Sequence, residues 1–186
     1  MATMLLLIRP AAFGYNTETA ASNTFQQLTA ANAATAEKAL AEFDAMCESL
    51  TKAGITIKVI NDTADPVKPD AVFPNNWISF HDKETITIWP MHATNRRTER
   101  RNDIVTQLKQ EAGYTTVYDL SHYENEGRFL EGTGSLVVDY ENRIAYAALS
   151  PRTDPGLVRI ACRHLNYKPV SFRTLPQNGQ AVYHTN

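Results

Sequence analysis

At 186 residues the chain has the length of one ordinary domain, enough to bury a core. Its hydrophobic content of 43% and charged content of 20% exclude global disorder. A formal net charge of -2 gives no electrostatic case for nucleic acid or an anionic membrane, and the apolar run Met4 to Ile8 is too short to span a bilayer and lacks the preceding basic residue of a signal peptide.

Taken in chain order, Met4 to Ile8 reads as a buried strand. The polar segment Asn16 to Asn32 follows, long for a plain connection and of the kind that forms lids or binding loops. Thr35 to Ala53 carries a helical stripe of Ala36, Ala39, Leu40, Phe43, Met46, Cys47 and Leu50, and Gly54 is placed to end that helix. Ile55 to Val59 alternates as a strand.

The next unit opens with an expected strand from Ala71 to Phe80, a turn over 81–84 and a second strand from Thr85 to Trp89. A helix is expected from about Thr98 to Ala112, ended by Gly113, then a strand from Thr115 to Tyr118. The order then repeats: a strand from Arg128 to Val138, a turn at 140–142, a strand from Arg143 to Leu149, a helix opened by Asp154-Pro155, and a strand from Lys168 to Thr174. Gln177-Asn178-Gly179 is a turn signal leading into a strand from Gln180 to His184. The chain thus reads as an opening β-α-β, two β-β-α-β units and the first strand of another.

Three of the expected strands, 71–80, 128–138 and 180–184, carry polar groups within apolar sequence: Asn75-Asn76, Glu131 and His184. Buried polar groups cost free energy unless satisfied, so their recurrence at similar places points to one shared site. Phe129 follows Phe73 by 56 positions and His184 follows Glu131 by 53, the repeat length of stacked or ringed modules. A set ending one strand into a module is expected to continue or to be completed by a second polypeptide.

The two cysteines, Cys47 and Cys162, offer no metal spacing and no disulfide framework. Both are expected as small helix residues packed in or near a core, a usage that fits a reducing cytoplasm.

In order along the chain, Leu7-Ile8-Arg9-Pro10, Asp70 to Ser79, Asn95 to Arg101, Leu130 to Ser135, Ser150 to Thr153 and Tyr183 to Asn186 resemble the guanidino-group-modifying enzymes, a superfamily of arginine deiminases, dimethylargininases and amidinotransferases. The resemblance covers nearly the whole chain and is nearest the citrulline-hydrolysing, amidinotransferase-like bacterial branch. It implies an α/β fold, an α/β-propeller (pentein) of ββαβ modules around a central substrate pocket, here incomplete, with residues 1–186 forming a single catalytic domain. The implied chemistry is covalent: a thiolate attacks the guanidino or ureido carbon, a histidine moves protons and a carboxylate holds substrate nitrogens. No metal or other cofactor is implied.

Glu131 matches the family's carboxylate and His184 its histidine; a buried Glu–Arg pair and a structural histidine are the bland alternatives. Asn76 stands where members with cationic substrates carry aspartate. An amide can donate to the carbonyl of a neutral ureido group, so the exchange favours a citrulline-like substrate, although Asn75 and Asn76 could simply form a turn or bulge. Arg152 matches a position that binds a substrate carboxylate, Arg96 or Arg97 is a further candidate because a guanidinium suits bidentate carboxylate recognition, and Asn23 and Gln26 are candidates for the substrate's amino-acid end. A solvated helix start is the alternative for the run 96–101.

The family's nucleophilic cysteine lies downstream of the histidine, and neither Cys47 nor Cys162 matches it in order or context. The expected function is therefore hydrolysis at the ureido or guanidino carbon of an amino acid, with the thiol outside this chain. Arginine deiminase, amidinotransferase and a non-catalytic amino-acid-binding fragment remain as alternatives. The expected partners are a small amino-acid substrate and a complementing chain or second copy, with no nucleic acid or membrane.

Overall fold

The computed structural model describes residues 4–20, 23, 26, 33–81, 84–175 and 182–186. Contacts divide the chain into two compact units, Met1–Pro74 and Asn75–Asn186. Among the described residues no helix is long and apolar enough to cross a membrane.

The first unit is a β-α-β crossover. Strand β1 (Leu5–Arg9) and strand β2 (Ile57–Asn61) pair in parallel, Leu5 opposite Ile57 and Arg9 opposite Asn61. A parallel pair needs a long crossover. Helix α2 (Ala33–Lys52) supplies it, after the one-turn helix α1 (Thr17–Ala20), which falls inside the expected polar loop. Phe43 is the buried centre of the α2 stripe. Met46, expected on that stripe, lies on its flank and is exposed. Gly54, at φ +78°, ends α2: its N–H reaches Thr51 O and the Ile55 N–H reaches Leu50 O, both at 3.0 Å. This pair of bonds is the Schellman arrangement, which satisfies carbonyls the helix leaves open.

The second unit holds two ββαβ modules. In the first, β3 (Ile78–Phe80) runs antiparallel to β4 (Thr85–Ile88), and α3 (Asn102–Ala112) returns the chain to β5 (Thr116–Asp119), parallel to β4. The second begins with the helical turn α4 (Gly132–Ser135), then pairs β6 (Val137–Asp139) antiparallel to β7 (Ile144–Ala148). Helix α5 (Pro155–His164) leads to β8 (Lys168–Phe172), parallel to β7. These are two three-stranded sheets rather than a closed ring.

Three expected strands are corrected. Only 78–80 of the stretch 71–80 is strand; Pro74–Asn76 forms a 3-10 turn, because a proline has no N–H for a ladder. Within 128–138 the chain turns at Gly132, φ +46°, and residues 132–135 coil into α4. Residues 182–184 are not strand, and the expected turn at 177–179 lies outside the described residues. The helix expected from Thr98 begins at Asn102, after a 3-10 segment Asn95–Glu99 and extended backbone at Arg100 and Arg101.

The buried cluster of the second unit joins Trp89, Leu120, Leu130 and Leu136 to Ala145 and Ala147 of β7 and to Leu157, Val158, Ala161 and Cys162 of α5. Helix α5 presents this apolar face because Asp154 fixes its start: the carboxylate accepts the Leu157 N–H at 2.7 Å, with Pro155 in the first turn. Asp154→Ala is expected to destabilise the protein by about 1 kcal/mol. An unchanged urea midpoint would show that the Asp154 cap does not stabilise α5.

Candidate active site

Asn76, Glu131 and His184 meet around the helical turn α4, all three within the second unit. The turn exists because Glu131 O accepts N–H groups from both Gly134 and Ser135 at 3.0 Å. Its glycines let other segments come close. A Cβ on Gly132 would collide with the Asn75 carbonyl. One on Gly134 would collide with Asn76 Nδ2 and lie 2.8 Å from both Nδ1 and Cε1 of His184. The amide and the imidazole therefore both close on the space where a Gly134 side chain would stand.

His184 is held there without a strand. The Thr185 N–H donates to Gly134 O at 2.8 Å, and Thr185 Oγ1 donates to Ser135 O at 2.7 Å while accepting the Ala148 N–H at 2.8 Å. The Ser150 hydroxyl donates to Tyr183 O at 2.7 Å.

Glu131 is fully buried. Its Oε1 accepts the His92 N–H at 3.0 Å, and its Oε2 meets His184 Nε2 at 2.7 Å and Arg152 Nη1 at 3.4 Å. Burial pushes the carboxyl upward, but the His184 hydrogen bond and the charges of Arg152 and Arg96 outweigh it and leave the pKa lowered to about 2. An ionised carboxylate only accepts hydrogen bonds, so His184 Nε2 must be the donor. In the neutral ring Nδ1 is then the basic nitrogen.

The arginines take distinct places. Arg152 is buried, with its guanidinium 4.5 Å from the centre of the Tyr183 ring. Arg96 donates through Nε and Nη2 to the two carboxylate oxygens of Glu99, at 2.8 and 2.9 Å, and through Nη1 to Asn76 Oδ1 at 2.9 Å. Arg97 lies over the Phe129 ring, donates to Met91 O at 3.1 Å and His92 O at 3.3 Å, and pairs with Glu124 at 3.4 Å. The Asn75 carbonyl accepts from the Thr133 hydroxyl at 3.4 Å.

Asn23 and Gln26 belong to the first unit. Gln26 donates to Thr19 Oγ1 at 3.0 Å and accepts the Asn16 N–H at 3.2 Å, and the Asn23 N–H reaches Thr19 O at 3.0 Å. Beside them the buried Asn16 donates to Asp70 Oδ2 at 2.7 Å.

Sequence alone nominates neither Glu99 nor Ser135, and Gly134 only as one of the glycines beside Glu131. The three-residue step from Arg96 to Glu99 is a readable pairing signal. The Gly132-x-Gly134 spacing is likewise a readable sign of close backbone approach. Ser135 gives none, although its hydroxyl joins Glu131 N, Arg152 O and Thr153 Oγ1 at 2.9–3.0 Å.

Neither cysteine is suited to attack. Burial pushes the Cys162 thiol up to about 11 and also raises that of Cys47, and both lie on helices, α5 and α2.

The paired ββαβ modules and the amide, carboxylate and imidazole gathered at one turn place the chain in the guanidino-group-modifying superfamily, the penteins. Residues 9–186 match the model of the family described as N,N dimethylarginine dimethylhydrolase, eukaryotic, and the chain belongs to that family. No curated protein matches at a comparable level of significance.

Among solved structures, a mutant N-terminal domain of ArgZ, a cyanobacterial arginine dihydrolase bound to substrate, matches with TM-score 0.72 and 18% identity over 96% of this chain and 60% of that one. A mutant Pseudomonas aeruginosa DDAH in complex with citrulline matches with TM-score 0.66 and 17% identity, over 98% and 64%. A dimethylarginine dimethylaminohydrolase adduct with S-methyl-L-thiocitrulline gives TM-score 0.68 and 17% identity, over 95% and 63%. At these identities the likeness establishes the fold. The chain spans less than two thirds of the length of each of these relatives.

The geometry makes two predictions. Gly134→Ala overpacks the contact between Asn76 and His184 and is expected to cost about 1–3 kcal/mol. Gly14→Ala, with nothing within 4 Å of the new methyl and no left-handed backbone, is the near-neutral comparison, read by thermal melting.

The lowered Glu131 pKa also sets a sign. The stabilisation is complete above the ordinary value of 4.5 and is lost as pH falls toward about 2. It amounts to on the order of 3 kcal/mol. Glu131→Gln should therefore show a shallower loss of stability between about pH 4.5 and 2 than the unaltered protein. Equal slopes for the two proteins in acid titration would show that these contacts do not hold the carboxylate ionised.

Proposed function

We propose that the protein hydrolyses a C–N bond at the ureido carbon of a citrulline-like amino acid through covalent thiolate catalysis. The observation that carries this reading is the Glu131–His184 pair. The ionised carboxylate binds Nε2–H, fixing the ring's tautomer and orientation, and leaves Nδ1 beside Gly134 to move protons.

In that role Nδ1 takes the proton of an attacking thiol supplied from outside these 186 residues. The thiolate adds to the ureido carbon, the C–N bond breaks, and the departing nitrogen takes the proton from Nδ1. Water then cleaves the carbon–sulfur bond with Nδ1 as base, restoring the thiol. Glu131 acts through the histidine, and its buried charge steadies the imidazolium that forms. Asn76 meets the substrate's reacting group. Arg152 and Arg97 supply positive charge for the carboxylate end, Arg152 while also engaging Glu131.

Asn76 favours a neutral ureido group because its amide can donate to a carbonyl, whereas a guanidinium has no acceptor. A guanidino substrate, arginine or its methylated forms, is the second reading, favoured by the family match over residues 9–186. Cytoplasmic placement fits two unpaired cysteines.

The full-length protein decides between them. Ornithine formed from citrulline supports the first reading; an amine released from arginine or dimethylarginine, with citrulline inert, supports the second. In either case His184→Ala is expected to lower kcat by about 10²–10⁴-fold, read by product formation at saturating substrate. Unchanged kcat would exclude His184 as the proton carrier.

A further inference from the structure

Asn76 has two faces, and its neighbours decide which one the reacting group meets. Arg96 Nη1 lies 2.9 Å from one amide atom of Asn76. A guanidinium has only donors, so that atom must be the oxygen. The opposite face of the amide, the NH2, then points at Gly134 and the His184 ring, as the contacts of Gly134 show. Arg96 cannot swing away freely, because Glu99 grips it through both carboxylate oxygens at 2.8 and 2.9 Å. All three side chains are buried, at 5% exposure for Asn76 and 3% each for Arg96 and Glu99.

We propose that the Glu99–Arg96 pair is a positioning device that locks Asn76 as a hydrogen-bond donor, and so selects a substrate whose reacting carbon carries an acceptor oxygen. The inference rests on the function proposed above and names the residues that set its substrate class. A ureido oxygen accepts from the fixed NH2. A guanidinium brings only further N–H groups, so donor faces donor and neither is satisfied. Without the lock, the amide turns its oxygen inward at little cost and accepts from a guanidinium. Glu99 and Arg96 thus act through Asn76 rather than on the substrate.

Two measurements on the full-length protein test this. The first needs no variant. In the unaltered protein the side-chain NH2 protons of Asn76 should show nuclear Overhauser contacts to the α protons of Gly134 or the His184 ring. Contacts to the Arg96 guanidinium instead would overturn the lock.

The second compares kcat/KM for citrulline and for arginine in the double variant Arg96→Met, Glu99→Met, which removes both charges together. The ratio of citrulline to arginine should fall by about tenfold, the size of one hydrogen bond made to the wrong partner. A merely structural role would lower both values alike, and an unchanged ratio overturns the proposal. If the unaltered protein turns over neither compound, the proposed function fails and selection fails with it. The Overhauser contacts then decide the orientation of Asn76 alone.

Discussion

A fully buried carboxylate organises the second unit. Glu131 has no access to water, and a lone charge in that position would cost several kcal/mol. It is tolerated because a backbone N–H, an arginine and a histidine converge on it. Each of those partners is placed by a different part of the chain: His92 after β4, Arg152 after β7 and His184 in the segment 182–186. The charge therefore draws three distant stretches to one point, and the geometry of the site is a result of satisfying it.

The turn beneath it works by having no side chains in the way. Gly132 admits the Asn75 carbonyl, and Gly134 admits the Asn76 amide and the His184 imidazole together, where a Cβ would stand. Thr133 and Ser135 use their hydroxyls to tie the same turn to its surroundings. Four consecutive residues thus combine close approach with a dense set of hydrogen bonds, while the sheets β3–β4–β5 and β6–β7–β8 and the α5 core supply the rigid base.

Much of this was readable in the residues. The stripe of α2, the Asp154-Pro155 start of α5, the glycine stops at 54 and 113 and the alternation of β4 are local signals, and each element lies within a few positions of its expected place. Amide, carboxylate and imidazole recur at similar places in the repeats, and the fold brings Asn76, Glu131 and His184 together at α4. The runs 71–80 and 128–138 mislead because an apolar run does not by itself distinguish a strand from a turn. The lock on Asn76 could not be read in the same way. It depends on which atom of an amide faces a guanidinium, and that is settled only when residues 76, 96 and 99 are brought together in space.

The attachment of His184 has a consequence for how the protein fails under stress. Within the described residues 182–186 the histidine stands on backbone without regular structure, joined to α4 and β7 through Thr185. Those few bonds can open without disturbing either sheet, since local openings of this kind require far less free energy than global unfolding. The carboxylate would then lose its histidine while the fold persisted. Heat or mild denaturant should separate the two halves of the Glu–His pair first, before either sheet is lost.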